Sequence, residues 1–341
     1  MLAAILRRRI LLVGTSPKAP LSTVAAALSS PPHRGASDQL TRLTTPEVCS
    51  LLERFQPTDQ LPVRLYSTYN LLWNTSRGKF SEVGVFSHSQ QSLKDQLLFW
   101  VQDFGDFGAS QEGAFVHCHA SPLVETQVLS DAYDELSERI GLEESRKALL
   151  FQCGPQTSQQ LKQKPHTSEF EPLPHLVQWE HPSPTTISAH PWPAGLYLSK
   201  LHMEDAELVS SKCPYFYEDM SVDTKIAFVR SLIARFPSAC VREISSDGPV
   251  SWLLSYQDNA TGFRYTQSKY RRADLNYLLG EYLRVQLANE GAALPMFANV
   301  HKDNWASVLM CEKQGYVPAE ADETVLKKKE EKKERERNEI E

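Results

Sequence analysis

Seven prolines fall within a stretch of about thirty residues: Pro165, Pro172, Pro174, Pro182, Pro184, Pro191 and Pro193. Each fixes φ and lacks a backbone N–H, so the stretch can be neither a helix nor a central strand. A chain crossing such a segment has to divide its core on either side of it. The 341 residues therefore read as two lobes, 38–165 and 194–320, joined by an extended connector over 166–193. His166, His175, His181 and His190 lie in that connector, but their irregular spacing favours a solvated linker over a metal site. No internal repeat is evident at the sequence level.

The ends differ from the middle. Residues 1–37 carry Arg7, Arg8, Arg9, Lys18 and Arg34 and no acid. A basic amphipathic start followed by Ser, Ala, Pro and Leu has the composition of a mitochondrial transit peptide, and predicts a matrix location. The alternative is a disordered arm. Residues 321–341 form a mixed-charge run with no apolar stripe, which reads as a solvated helix or disorder.

The net charge of −6 becomes about −11 once the five cations of the first 37 residues are set aside. That argues against general nucleic-acid binding, which needs a basic surface, and leaves room for a local basic patch around an anionic cofactor. No apolar run is long enough to span a bilayer. The six cysteines, Cys49, Cys118, Cys153, Cys213, Cys240 and Cys311, show no C-x-x-C spacing, so reduced thiols are the simpler reading.

In the first lobe, Thr45-Pro46-Glu47 marks a helix start. Residues 61–66 read as extended, residues 84–86 and 113–119 as strands, and residues 123–142 as a helix. Strands alternating with helices indicate an α/β or α+β layer structure. His117 and His119 would share one strand face. Metal binding and ordinary satisfied histidines are both open, and no third ligand follows at useful spacing.

The second lobe reads strand (195–201), short helix (204–211), helix (224–235), then three antiparallel strands. Ser246-Asp247-Gly248 and Asn259-Ala260-Thr261-Gly262 provide the turns. Tyr265-Thr266-Gln267 then leads into Arg271-Arg272-Ala273-Asp274, where a helix begins with leucines at 275, 278, 279, 283 and 287. A helix N-terminus presents free N–H groups and a positive dipole end. With two arginines at its mouth it suits a pyrophosphate, although two arginines before a helix are usually plain surface charge. A strand to His301, an Asn304-capped helix carrying Cys311, and Gly315-Tyr316 close the lobe.

This order resembles the GNAT acyltransferase superfamily, and within it the glycine N-acyltransferase-like family. The residues that carry the resemblance are Arg235-Phe236-Pro237 with Cys240, Pro249-Val250-Ser251-Trp252, Thr261-Gly262, Tyr270-Arg271, Leu275, and Asn304 with Gly315-Tyr316. Leu61-Pro62 and Tyr66 match more loosely, and the whole covers roughly residues 45–318. The resemblance implies a two-lobed GNAT-like protein with a mixed central sheet flanked by helices in the second lobe. There the fourth and fifth strands splay to admit pantetheine. It also implies acyl transfer from acyl-coenzyme A (acyl-CoA) to glycine or a similar small amine, with acyl-CoA as co-substrate and no permanently bound cofactor. Tyr265, Thr266, Gln267, Arg271, Arg272, Ala273, Asp274 and Asn304 are the implied acyl-CoA contacts.

The chain departs from the family at matched positions. Lys269 stands where a carboxylate regarded as the base often precedes Tyr-Arg, and Asp274 replaces a glycine. Cys311 takes the place of the superfamily's thiolate-protonating tyrosine. His301 is the substitute base, or else a strand-end surface histidine. Cys311 either hydrogen-bonds the leaving sulfur or packs in the core. The alternative to an active enzyme is an impaired relative that binds acyl-CoA or a protein partner.

Overall fold

The computed structural model describes residues 40–54, 64–80, 83–88, 97–109, 113–121, 123–140, 148–153, 155–161, 170–172, 176–180, 193–213, 220–290, 296–301, 303–318 and 324–328. All of them belong to one compact unit, Gly35–Glu341. The transit-peptide assignment to 1–37 lies outside the described residues.

The first series of elements is β1 (Thr41–Arg42), α1 (Thr45–Arg54), α2 (Arg64–Ser76), β2 (Val83–Ser87), β3 (Leu97–Asp103), β4 (Gly113–Ala120), α3 (Thr126–Arg139), β5 (Ala148–Cys153), α4 (Pro155–Leu161), β6 (Phe170–Pro172) and β7 (Leu176–Glu180). The second is β8 (Leu196–Ser199), α5 (Ala206–Ser211), α6 (Val222–Arg235), β9 (Ser238–Glu243), β10 (Pro249–Ser255), β11 (Thr261–Thr266), α7 (Leu275–Asn289), β12 (Phe297–His301), α8 (Trp305–Lys313), β13 (Val317–Pro318) and β14 (Thr324–Lys328). The two series correspond element for element. The chain is thus a structural repeat, invisible in the sequence because burial and pairing constrain residue class rather than identity.

The last strand of each series is exchanged. One sheet runs β1-β2-β3-β4-β5-β14-β6, with the final strand of the chain between β5 and β6. The second lobe holds β11-β10-β9-β8 and, separately, β12-β7-β13. So β7 crosses from the first series, pairing antiparallel with β12 at Trp179 opposite Ala298 and with β13 at Trp179 opposite Pro318. In return, β14 pairs with β5 and β6 through Leu326.

Three expectations are corrected here. The connector assigned to 166–193 is no solvated linker throughout. Its proline-free window 176–180 forms an interior strand with Trp179 buried, while Pro172 sits on β6 at a sheet edge, where a missing N–H is tolerated. The tail assigned to 321–341 begins with a strand, because Thr324–Lys328 finds two partners to satisfy its backbone. The extended reading of 61–66 fails from Arg64 onward, where α2 starts. That helix buries a polar row, Ser67, Asn70 and Asn74, at helical spacing, which no apolar periodicity would reveal.

The second-lobe helices behave as their spacing predicts. Leu275, Leu279, Leu283 and Leu287 lie along one face of α7 and are buried in one apolar cluster with Val241 of β9 and Leu253 of β10. Each such leucine contributes roughly 1.5–3 kcal/mol of transfer free energy. Ser221 caps α6 by accepting from the Thr224 amide at 3.1 Å. Phe228 of α6 meets Phe107 and Phe115 of the first lobe at centroid distances of 5.3 and 5.2 Å, so aromatic packing joins the lobes. Among the described residues no helix is long and apolar enough to cross a membrane.

Candidate functional site

The site is built around a gap. In the first lobe β4 and β5 pair in parallel over six residues, from Gly113 opposite Ala148 to Cys118 opposite Cys153. The corresponding strands of the second lobe, β11 and β12, fall in different sheets. Their starts stay close, with Thr261 Oγ1 donating to the Phe297 carbonyl at 3.3 Å. Beyond that point no backbone hydrogen bond joins them among the described residues, which leaves facing donors and acceptors for a ligand to meet. The far edge of β12 is taken by β7, so the first series supplies one wall support of the gap.

Two devices set the β11 backbone. The β10–β11 turn is inserted against α2 of the first lobe. Ser67 Oγ donates to Asp258 at 2.7 Å, and Asn74 Nδ2 donates to the Gln257 carbonyl at 2.8 Å. Burial raises the pKa of the enclosed Asp258 carboxyl, against the hydrogen bonds from Ser67 and the Ala260 amide. The second device is a β-bulge: the register shifts between Trp252 and Leu254, where Phe263 adopts φ 52°. Gly262 precedes it, and a Cβ there would lie 2.1 Å from the Tyr256 ring.

The predicted acyl-CoA residues follow in order. Tyr265 stacks on Trp252 at 4.9 Å and belongs to the α6 side of the sheet. Thr266 Oγ1 lies 2.8 Å from both Ser251 Oγ and Asn276 Nδ2. Gln267 Nε2 donates to the Pro249 carbonyl at 2.8 Å. Arg271, Arg272, Ala273 and Asp274 are all exposed at the start of α7, and Arg271 Nε donates to the Thr266 carbonyl. Arg272 and Asp274 have φ of 68° and 51°, in the left-handed region that favours glycine. The loop thus keeps a glycine-like turn at Asp274 despite its side chain. The carboxylate does not cap its own helix; it pairs with Lys313 of α8, leaving the first turn of α7 without a side-chain cap. Asn304 uses its side chain to cap α8, accepting from the Ser307 amide at 3.3 Å.

Lys269 is exposed and pairs with Glu243 at 3.3 Å, its ammonium 4.6 Å from the Tyr270 ring centroid. Hydrogen bonds to Tyr270 and Glu243 raise its pKa, so it is a cation and not a base. Glu243 accepts from the Tyr270 hydroxyl at 2.5 Å, and its pKa falls to about 2 through Tyr270, Ser246 and Lys269. This fixed carboxylate anchors the turn that carries the arginines.

His301 ends β12, half-buried, with Nδ1 accepting from the Asp303 amide at 3.1 Å. The neutral ring then carries its proton on Nε2. Cys311 is buried in the apolar cluster under α7 and α8. Burial pushes its thiol pKa up, with the charge of Arg264 acting against this. The structure therefore gathers the loop residues and sets His301 at the end of β12 and Asn304 at the start of α8, but keeps Cys311 in the core. His117 of the first lobe is also accounted for: its Nε2 lies 2.8 Å from Thr68 Oγ1, and no group of three metal-ligating residues occurs among the described residues.

Sequence reasoning missed a polar network beneath the loop. Arg264 Nη1 donates to Gln314 Oε1 at 2.6 Å. Gln314 Nε2 in turn donates to the carbonyls of Asn276 and Tyr277 in the first turn of α7, at 3.1 and 3.4 Å. The one sequence signal was Gly280 inside a helix. A Cβ at that position would meet Gln314 Nε2 at 2.3 Å.

No family model matches the chain, and no curated protein matches it. Solved structures do. A Drosophila protein from a structural genomics programme superposes with TM-score 0.63 at 15% identity, covering 85% of this chain and 99% of its own. A tandem GNAT protein from the clavulanic acid biosynthesis pathway gives TM-score 0.51 at 11% identity, covering 86% and 99%. A putative acetyltransferase from Pyrococcus horikoshii gives 0.50 at 8% identity, covering 86% and 90%. The mixed α/β fold of this chain is that of the GCN5-related N-acetyltransferases.

Proposed function

We propose that the protein is an acyl-CoA-dependent N-acyltransferase, with glycine or a similar small amine as acceptor. The observation that carries this reading is the open β11–β12 gap whose mouth holds Arg271, Arg272 and the uncapped start of α7. Amides at a helix start and two guanidinium groups suit the pyrophosphate of coenzyme A. The parted strand edges suit the amides of its pantetheine arm. Free amine nitrogen adds to the thioester carbonyl, forming C–N and a tetrahedral oxyanion; its collapse breaks C–S with the electron pair on sulfur, and the nitrogen's extra proton passes to solvent or to His301 Nδ1 once that atom releases the Asp303 amide. The β11 backbone near the Phe263 bulge is a candidate oxyanion donor. We further propose import into the mitochondrial matrix through residues 1–37.

The test is thiol release by purified protein with several acyl-CoAs and a panel of amines that includes glycine. Amine-dependent release supports the reading, and His301→Ala should lower turnover at least about tenfold. A second reading is an acyl-CoA-binding protein without turnover. It is favoured by Lys269, whose pairing with Glu243 puts two ionised groups where a free base would serve. Binding without turnover selects that second reading; absence of any coenzyme A binding overturns both.

A further inference from the structure

Arg264 is the unexplained charge of the second lobe. It lies on β11, one residue past the Phe263 bulge, and reaches towards α7 and α8. Its strong partner is a neutral amide oxygen, Gln314 Oε1. Its Nη2 is buried and makes no hydrogen bond of good geometry; the neutral Tyr316 hydroxyl is the group that interacts with the guanidinium there, and among the described residues no carboxylate pairs with it. A guanidinium so enclosed costs free energy unless something anionic meets it.

The surroundings look built to hold it. Gln314 is fixed from the other side by two carbonyls of α7, and Gly280 leaves the space for that contact. Glycine inside a helix is itself unfavourable, so the chain accepts a local cost to seat the residue that orients Arg264. The charge is felt by the groups around it: it opposes the burial that pushes Tyr316 up to about 12, and acts likewise on Cys311. The Tyr316 hydroxyl interacts with both Arg264 and Thr261, and Thr261 donates to the Phe297 carbonyl, so the guanidinium lies near the junction from which β11 and β12 part.

We propose that Arg264 is a catalytic residue of the transfer, contacting the thioester sulfur and holding the coenzyme A thiolate as it leaves. This rests on the acyl-CoA reading above. Guanidinium does not release its proton at working pH, so it stabilises an anion without becoming its acid. When the tetrahedral intermediate collapses, the C–S bond breaks, the electron pair stays on sulfur, and Arg264 Nη2 pairs with it. The proton that later completes the thiol comes from water, balancing the one the nitrogen has given up. The role is distinct from that of Arg271 and Arg272, which are exposed and serve phosphate.

The prediction can be read on a bound product without turnover. Free coenzyme A, with a thiol near the ordinary value of about 8.5, is titrated in complex with the intact protein, following thiolate absorption in the ultraviolet. A bound thiol whose titration midpoint lies at least about one pH unit below that of free coenzyme A, shifting back in Arg264→Gln while the affinity stays within a few-fold, supports the role. A bound thiol with the ordinary titration in the unaltered protein overturns it, whether or not any variant folds. Equal titration in the unaltered protein and Arg264→Gln overturns it too. Failure of the unaltered protein to bind coenzyme A overturns the acyl-CoA reading itself, and this role with it. In the transfer assay, Arg264→Gln should lower kcat about a hundredfold with little change in KM, and Arg264→Lys should retain more than the neutral variant.

Discussion

At the scale of single residues, two departures in the sequence turn out to be structural pairings. Asp274 occupies a left-handed position and gives its carboxylate to Lys313. Asp274→Gly removes a conformational strain of about 1 kcal/mol and an exposed ion pair that contributes less than that. Folding stability should hold or rise slightly, and acyl-CoA should bind more tightly for loss of a negative charge beside the phosphates. Thermal unfolding and a binding titration measure the two effects separately. Lys269 is half of a second pairing, with Glu243. The folded Glu243 pKa is about 2 against an ordinary 4.5, so its stabilisation is present above pH 4.5 and lost as pH falls towards 2. Glu243→Gln should therefore flatten the decline in melting temperature across that window; an equally steep decline in the variant would discount the pairing. Neither partner was legible in sequence, because Glu243 and Lys269 are brought together by the β9–β10 hairpin and the turn after β11.

At the scale of elements, the second lobe was largely legible. The leucine row of α7, the Asn304 cap and the Gly315 stop each declare themselves locally, through periodicity or through a single preferred conformation. Helix α2 was not, since it is buried on nearly every side and its polar row answers to the β10–β11 turn more than sixty residues beyond the connector. Helix α7 offers a test of sign. Gly→Ala inside a helix normally stabilises by up to about 1 kcal/mol. Gly280→Ala should instead destabilise the protein and weaken acyl-CoA binding, because its Cβ would press on Gln314 at 2.3 Å and disturb the first turn of α7. Chemical denaturation of Gly280→Ala beside Gln314→Ala checks this. If Gly280→Ala proves the more stable, the packing account is wrong.

At the scale of the whole molecule, exchange of β7 and β14 ties the two series together. Ending the chain at Pro318 deletes the strand between β5 and β6. Loss of a central strand should unfold the first lobe, with hydrogen exchange rising across β4 and β5, whereas a chain ending at Lys328 retains the strand and serves as the control. Unchanged protection in the Pro318-terminated chain would show that β14 is dispensable. The sequence by itself determined the order of elements in the second lobe and the arginine-bearing turn at the start of α7. Those features rest on hydrophobic period and caps, both of which act within a few residues. Tertiary structure alone decided that the halves repeat, that their last strands change places and that β11 and β12 part where β4 and β5 pair. It also decided that Arg264 lies enclosed beside Gln314. Strand pairing and charge burial join residues far apart in the chain, and backbone hydrogen bonds carry no side-chain signature by which one strand could name its partner.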